Sequence, residues 1–126
     1  MLLVEAELPN GPSAAGEARR KIASLRDALP GRVVSDATLL VSELVTNSYR
    51  HAGVPVGDAI GLRVELTGRT VHIEVTDHGA GSAPAIREPG GDGGWGLRIV
   101  ERVADRWGTR SIGSGTVVWF EMEAVT

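Results

Sequence analysis

The chain has 126 residues, 42% apolar and 23% charged, with a formal net charge of −3: the size and balance of one folded domain with its own core, and too acidic for a general nucleic-acid binder, which would show a basic stripe. With no cysteine, disulfides and thiolate metal sites are excluded, and three scattered histidines make a poor zinc site. No apolar run approaches the ~18 residues of a membrane span, and the N-terminal MLLVEAELP has neither a basic leader nor a cleavage pattern, so a cytoplasmic protein without membrane contact is expected.

Residues 2–8 alternate, with Leu2, Val4, Ala6 and Leu8 on one side and Leu3, Glu5 and Glu7 on the other, which is a strand pattern. After the turn residues Pro9, Asn10, Gly11 and Pro12, Ser13 is placed to cap a helix reaching about Leu29. Ala18, Ile22, Leu25 and Leu29 form its apolar stripe; Arg19, Arg20, Lys21 and Arg26 read as a solvated face. Pro30 and Gly31 then break the chain before a second helix, about Val34 to Ala52, capped by Ser35 or Asp36. Its buried side is expected to be Ala37, Leu40, Val41, Leu44, Val45 and Ser48.

Strands over 60–67 and 70–76 follow, joined across Gly68 and Arg69 as a hairpin, with Leu62, Val64 and Leu66 alternating in the first and Val71, Ile73 and Val75 in the second. Residues 77–108 hold eight of the chain's 17 glycines. Within them a third helix is expected from about Trp95 to Trp107, with Ile99, Val100, Val103 and Trp107 apolar and Gly108 ending it. Two last strands bracket Gly113–Ser114–Gly115. There is no repeat and no interior boundary, so residues 1–126 read as a single domain. The order strand, helix, helix, strand, strand, helix, strand, strand implies an α+β, two-layer sandwich: a mostly antiparallel sheet with helices on one face.

Three features could carry chemistry. On the second helix Glu43, Asn47, Arg50 and His51 stand at i, i+4, i+7 and i+8 and share one stripe. An acid, an amide, a guanidinium and an imidazole in line suit a metal-bound polyphosphate; a solvent-facing polar stripe is the plainer alternative. Asp77–His78–Gly79–Ala80–Gly81 follows a strand, so a carboxylate there can accept from a ligand amine while glycine backbone lies against a flat ring. An ordinary Asp-Gly turn would look the same. Gly93–Gly94–Trp95–Gly96–Leu97 opens the third helix, where free N–H groups and the positive end of the dipole attract phosphate, unless the glycines merely make a linker. Gly91, Gly93 and Gly96 also match G-x-G-x-x-G, but no strand precedes them and no acidic residue stands some 20 positions on, so the dinucleotide fingerprint is rejected.

In order and spacing, Glu43-x-x-x-Asn47, Asp77-x-Gly79-x-Gly81, Gly94-x-Gly96-Leu97 and Thr116 in the last strand resemble the GHKL superfamily of ATPases and kinases, whose nucleotide-binding fold is the Bergerat fold. ELVTNSYRHA, GGWGLRIVERVADRWG and TVVWFEM are similar to its stand-alone branch, the anti-sigma-factor serine/threonine kinases of the RsbW and SpoIIAB type. The resemblance implies ATP and Mg²⁺ as cofactors. Asn47 would hold the metal, Glu43 would be the catalytic base, and Arg50 and His51 would stand near the phosphates and the base. It also implies that Asp77, assisted by Thr116, accepts the adenine amino group, that Gly79 and Gly81 lie beside the nucleotide, and that the backbone of Gly94, Gly96 and Leu97 lies beside the phosphates. Residues 82–93 would form an ATP lid, here short and with Arg87 as its one cation. The implied activity is phosphorylation of a STAS-type anti-anti-sigma protein by a kinase that also sequesters a sigma factor. The thin lid leaves open a nucleotide-gated binding module with little turnover. Relatives often form homodimers, and the Leu2/Val4 strand edge is where a second copy could pair.

Overall fold

The computed structural model describes residues 1–9, 11–51, 59–77, 94–113 and 115–124, the side chains at 47–51 and 94–97 excepted. Eight elements follow in chain order: β1 (Leu2–Pro9), α1 (Ala14–Ala23), α2 (Gly31–His51), β2 (Ala59–Thr67), β3 (Thr70–Asp77), α3 (Gly94–Val103), β4 (Arg106–Ile112) and β5 (Gly115–Glu123). The strands form one five-stranded sheet in the order β1-β2-β3-β5-β4, every pair antiparallel. This is the expected α+β sandwich. Val4, Leu8, Ile60, Leu62, Val64, Val71, Ile73, Val75, Val118, Phe120 and Met122 alternate onto the face that packs beneath the helices.

The β2–β3 hairpin turns as its glycine dictates. Gly68 takes φ +60° at the first central position, with Thr67 opposite Thr70, as a two-residue turn with glycine leading requires. In β1 a bulge between Leu2 and Val4 sets Leu2 opposite Glu65 and Val4 opposite Val64. One extra residue flips the side-chain parity. Leu3, not Leu2, therefore packs on the core, and Leu2 is 46% exposed. Val4 is buried, so of the expected Leu2/Val4 edge only Leu2 faces outward.

The helices differ from expectation at their ends. Ser13 precedes α1 in helical geometry (φ −86°, ψ −9°) and makes no side-chain cap bond. The helix stops at Ala23 rather than Leu29: the Ser24 hydroxyl donates to the Lys21 carbonyl at 2.6 Å, a local bond that competes with helix continuation. The turns that follow still bury Leu25 and Leu29. Arg19, Arg20, Lys21 and Arg26 are exposed, as a solvated face should be. The second helix begins at Gly31, three residues before the expected start, so neither Ser35 nor Asp36 caps it. The Pro30 carbonyl accepts from the Val34 amide at 3.0 Å, and Val33 and Val34 extend the buried stripe Ala37, Leu40, Val41, Leu44 and Val45 by one turn. Ser48 has its side chain outside the described residues.

The largest correction concerns Trp107 and Gly108. The third helix ends at Val103, where the Asp105 amide donates to the Glu121 carbonyl at 2.9 Å and begins sheet pairing. Trp107 fits the helical spacing of Val100 and Val103, yet it lies in β4 opposite Phe120. Gly108 is not a helix stop. It pairs with Trp119, and a Cβ there would lie 2.9 Å from three indole atoms, Cε2, Cζ2 and Nε1. The indole occupies the space that glycine leaves. Gly108→Ala should therefore cost about 1–3 kcal/mol by overpacking, read as a lower urea midpoint, and most of that cost should vanish in a Trp119→Thr background.

Candidate functional site

The helix-facing side of the sheet is apolar except at one end. There Asp77, the last residue of β3, stands directly opposite Thr116 near the start of β5. They are 6% and 1% exposed, and they are the buried polar side chains among the described residues. Removing a carboxylate from water is costly unless polar groups surround it, so a buried acid and hydroxyl side by side at the end of a sheet make that end the candidate for recognition. The register adds Ser111 of β4, opposite Thr116 on its other side, which continues the polar row toward the sheet edge. Its place beside Thr116 was hidden while the helix was expected to run to about Trp107; the alternation of Trp107, Thr109 and Ser111 was the available signal.

The backbone of α2 runs toward the same end. Arg32 in its first turn donates from Nη2 to the Glu123 carbonyl at 3.2 Å, and Glu123 is opposite Thr70, the far end of β3 from Asp77. From that tie the 21-residue helix runs for about 30 Å. It packs on both β3 and β5, each of which spans roughly 25–30 Å. Its last turns therefore carry Glu43 and Asn47 toward Asp77 and Thr116. Glu43 is half-buried. One residue before it, the Ser42 hydroxyl accepts from Arg19 Nη1 at 3.0 Å, a tie between α2 and α1, while the Ser42 carbonyl accepts from Thr46 Oγ1 at 2.8 Å within α2.

Asn47, Arg50 and His51 lie within α2, but their side chains are outside the described residues, as is that of Leu97. The backbone of Gly94, Gly96 and Leu97 forms the first turn of α3, the helix start expected there. Its leading N–H groups lack intrahelical acceptors. Gly79, Gly81 and the 82–93 segment also fall outside the described residues. Among the described residues there is no cluster of three or more metal-ligating side chains and no helix long and apolar enough to cross a membrane.

A sheet that ends in a buried acid, roofed by a long helix with an acid and an amide one turn apart, defines a class. The chain belongs to the histidine kinase-like ATPase domain family, whose model matches residues 8–122. Its fold is similar to that of the RsbU and RsbW domains of Rv1364c from Mycobacterium tuberculosis, with TM-score 0.76, 19% identity, and 95% of this chain aligned to 32% of that one. It also resembles the histidine kinase domain of the Erythrobacter litoralis EL346 blue-light activated histidine kinase (TM-score 0.60, 21% identity, 92% of this chain and 61% of that one). A third likeness is to the histidine kinase AdeS of Acinetobacter baumannii (TM-score 0.54, 12% identity, 100% and 70%). At these identities the likeness is one of fold, and the chain spans about a third of the first of these proteins. No curated protein matches it in sequence.

Proposed function

We propose that this single domain binds ATP at the Asp77–Thr116 end of the sheet and transfers the γ-phosphoryl group to a serine or threonine of a partner protein. The observation that carries the reading is the buried Asp77 opposite Thr116 in an otherwise apolar face. A carboxylate there accepts the amino group of adenine. Guanine would set a carbonyl oxygen against it, leaving an acceptor unmet at a cost of roughly 1–3 kcal/mol. The motif resemblance of ELVTNSYRHA, GGWGLRIVERVADRWG and TVVWFEM to the anti-sigma-factor kinases extends the reading to an anti-sigma kinase acting in the cytoplasm, with a STAS-type antagonist as its substrate and a sigma factor as its second partner; the fold likeness to a protein containing an RsbW domain agrees with it.

The donor set suits Mg²⁺, which prefers hard oxygens and keeps waters: the Asn47 amide oxygen would hold it together with triphosphate oxygens. When bound, the ion offsets charge on the triphosphate. Glu43 takes the proton of the attacking hydroxyl while that oxygen bonds the γ-phosphorus, the bond to the β,γ-bridging oxygen breaks, and ADP leaves. Arg50, His51 and the first-turn amides of Gly94, Gly96 and Leu97 would face the phosphates. Gly79 and Gly81 would lie beside the nucleotide and 82–93 would close over it.

Glu43→Gln should lower transfer of labelled phosphate to the antagonist by about 10²–10⁴-fold, the usual worth of a general base, with ATP affinity nearly unchanged in calorimetry. Transfer unaffected by that change would overturn the assigned base. ATP binding with no transfer to any partner would instead make the chain a nucleotide-gated binding module. Asp77→Asn should weaken ATP binding by roughly 1–3 kcal/mol, and saturating Mg-ATP, which should raise the Tm of the wild type, should raise that of the variant much less.

A further inference from the structure

The outer face of the sheet, turned away from the helices, holds a second organised group of side chains. His72 of β3 stands between two carboxylates: Nδ1 lies 2.8 Å from Glu121 Oε2 on β5, and Nε2 lies 2.9 Å from Glu74 Oε2 on its own strand. A neutral imidazole has one N–H and one lone pair. With a carboxylate oxygen on each nitrogen, the neutral ring would turn that lone pair toward a negative acceptor, whereas the imidazolium donates to both. The ring also stacks on Trp119, with centroids 5.5 Å apart and 22° between planes, and an indole face favours a cation.

The same carboxylates hold the edge strand. Arg106 of β4 donates from Nε to Glu121 and from Nη2 to Glu123, both at 2.8 Å, and Arg110 of β4 donates to Glu74 at 3.4 Å. Glu123 also accepts from the Thr70 hydroxyl at 3.3 Å. On the other side, Glu65 and Arg63 of β2 are the register partners of His72 and Glu74. Arg63 donates to Glu65 and to Glu5 of β1, whereas Arg106, Arg110 and His72 bond to Glu74, Glu121 and Glu123. Gly108, pressed under Trp119, gives the indole room to lie flat between β4 and the His72 ring.

We propose that His72 is a protonated cross-brace: its imidazolium ties β3 to β5 and holds Glu74 and Glu121 where Arg110 and Arg106 of the edge strand β4 meet them, so that the anchoring of β4 depends on a proton. Partial burial disfavours the charged ring, but the hydrogen bonds to Glu74 and Glu121 and their charges outweigh it and raise its pKa above the ordinary 6.5. Burial pushes Glu74 up, yet its bonds to His72 and Arg110 leave it net lowered; Glu121 is lowered first by Arg106 and then by His72. A folded-state pKa above the unfolded value means that the brace contributes in full below about pH 6.5 and is lost as pH rises through the folded-state pKa. Above it, the neutral ring keeps one of its two hydrogen bonds. Because α3 ends at Val103 and β4 begins at Arg106, a loosened β4 also releases the end of α3.

The test is an NMR titration of the imidazole ring nitrogens in the whole chain, with His72→Gln identifying the signals. The His72 ring should titrate with a midpoint above the ordinary histidine value, with both nitrogens protonated below it, and Glu121→Gln should move that midpoint down. Amide exchange at whichever of Thr109 and Arg110 donates to β5, corrected for the intrinsic rate, should become about threefold faster or more as the ring deprotonates. In His72→Gln that pH dependence should be absent. A His72 midpoint at or below the ordinary histidine value overturns the proposal in the wild type alone, whether or not the variants fold. Exchange with the same pH dependence in His72→Gln also overturns it.

Discussion

The structure depends on α2 lying across β3 and β5. Seven of its residues, Val33, Val34, Ala37, Leu40, Val41, Leu44 and Val45, are nearly or wholly withdrawn from water, and the strand residues they cover alternate with residues on the outer face. Apolar burial has no direction of its own, so the polar tie between Arg32 and the Glu123 carbonyl is informative: it marks which end of the sheet receives the start of the helix. The last turns of α2 then reach the opposite end. The backbone positions of Glu43 and Asn47 therefore fall in the half of the helix nearer Asp77 and Thr116.

The two faces of the sheet follow different rules. The helix-facing side is apolar until Asp77 and Thr116 interrupt it with a carboxylate and a hydroxyl that are both buried. The outer side is laced by ion pairs across the strands, from Glu5 and Arg63 through His72 to Arg106 and Arg110. Exposed pairs contribute little one at a time. Charges on both edge strands also discourage pairing with another sheet, a role that Glu5 and Glu7 on β1 and Arg106 and Arg110 on β4 all fit.

Most of the architecture was legible in local pattern, because alternation in Leu62–Leu66 and Val71–Val75 and the helical spacing of Ala37–Val45 report the face that must be buried. Misreadings fell where one residue satisfied two patterns. Trp107 keeps the helical spacing of Val103 and also the strand alternation of Thr109 and Ser111; pairing with Phe120, a contact remote in sequence, decides for the strand. Gly108 looked like a helix stop because glycine serves both purposes, and only the position of Trp119 shows which one it serves here. Leu2 and Leu3 are equally apolar, so nothing local reveals the bulge that exchanges them. At the site, Asp77 and Thr116 were nameable from motif and spacing, and their direct opposition and burial are what the fold adds. The outer-face network of His72, Glu74 and Glu121 joins residues about 50 positions apart in the chain, so no window of sequence contains it.

The most direct test of adenine recognition at the buried pair is to follow backbone amide shifts of the labelled protein as Mg-ATP or Mg-GTP is added. With Mg-ATP the changes should centre on Asp77, Thr116 and the last turns of α2, and Mg-GTP at equal concentration should leave these amides almost unmoved. Equal responses to both nucleotides, or changes confined to outer-face residues such as His72 and Trp119, would contradict a base-reading role for Asp77.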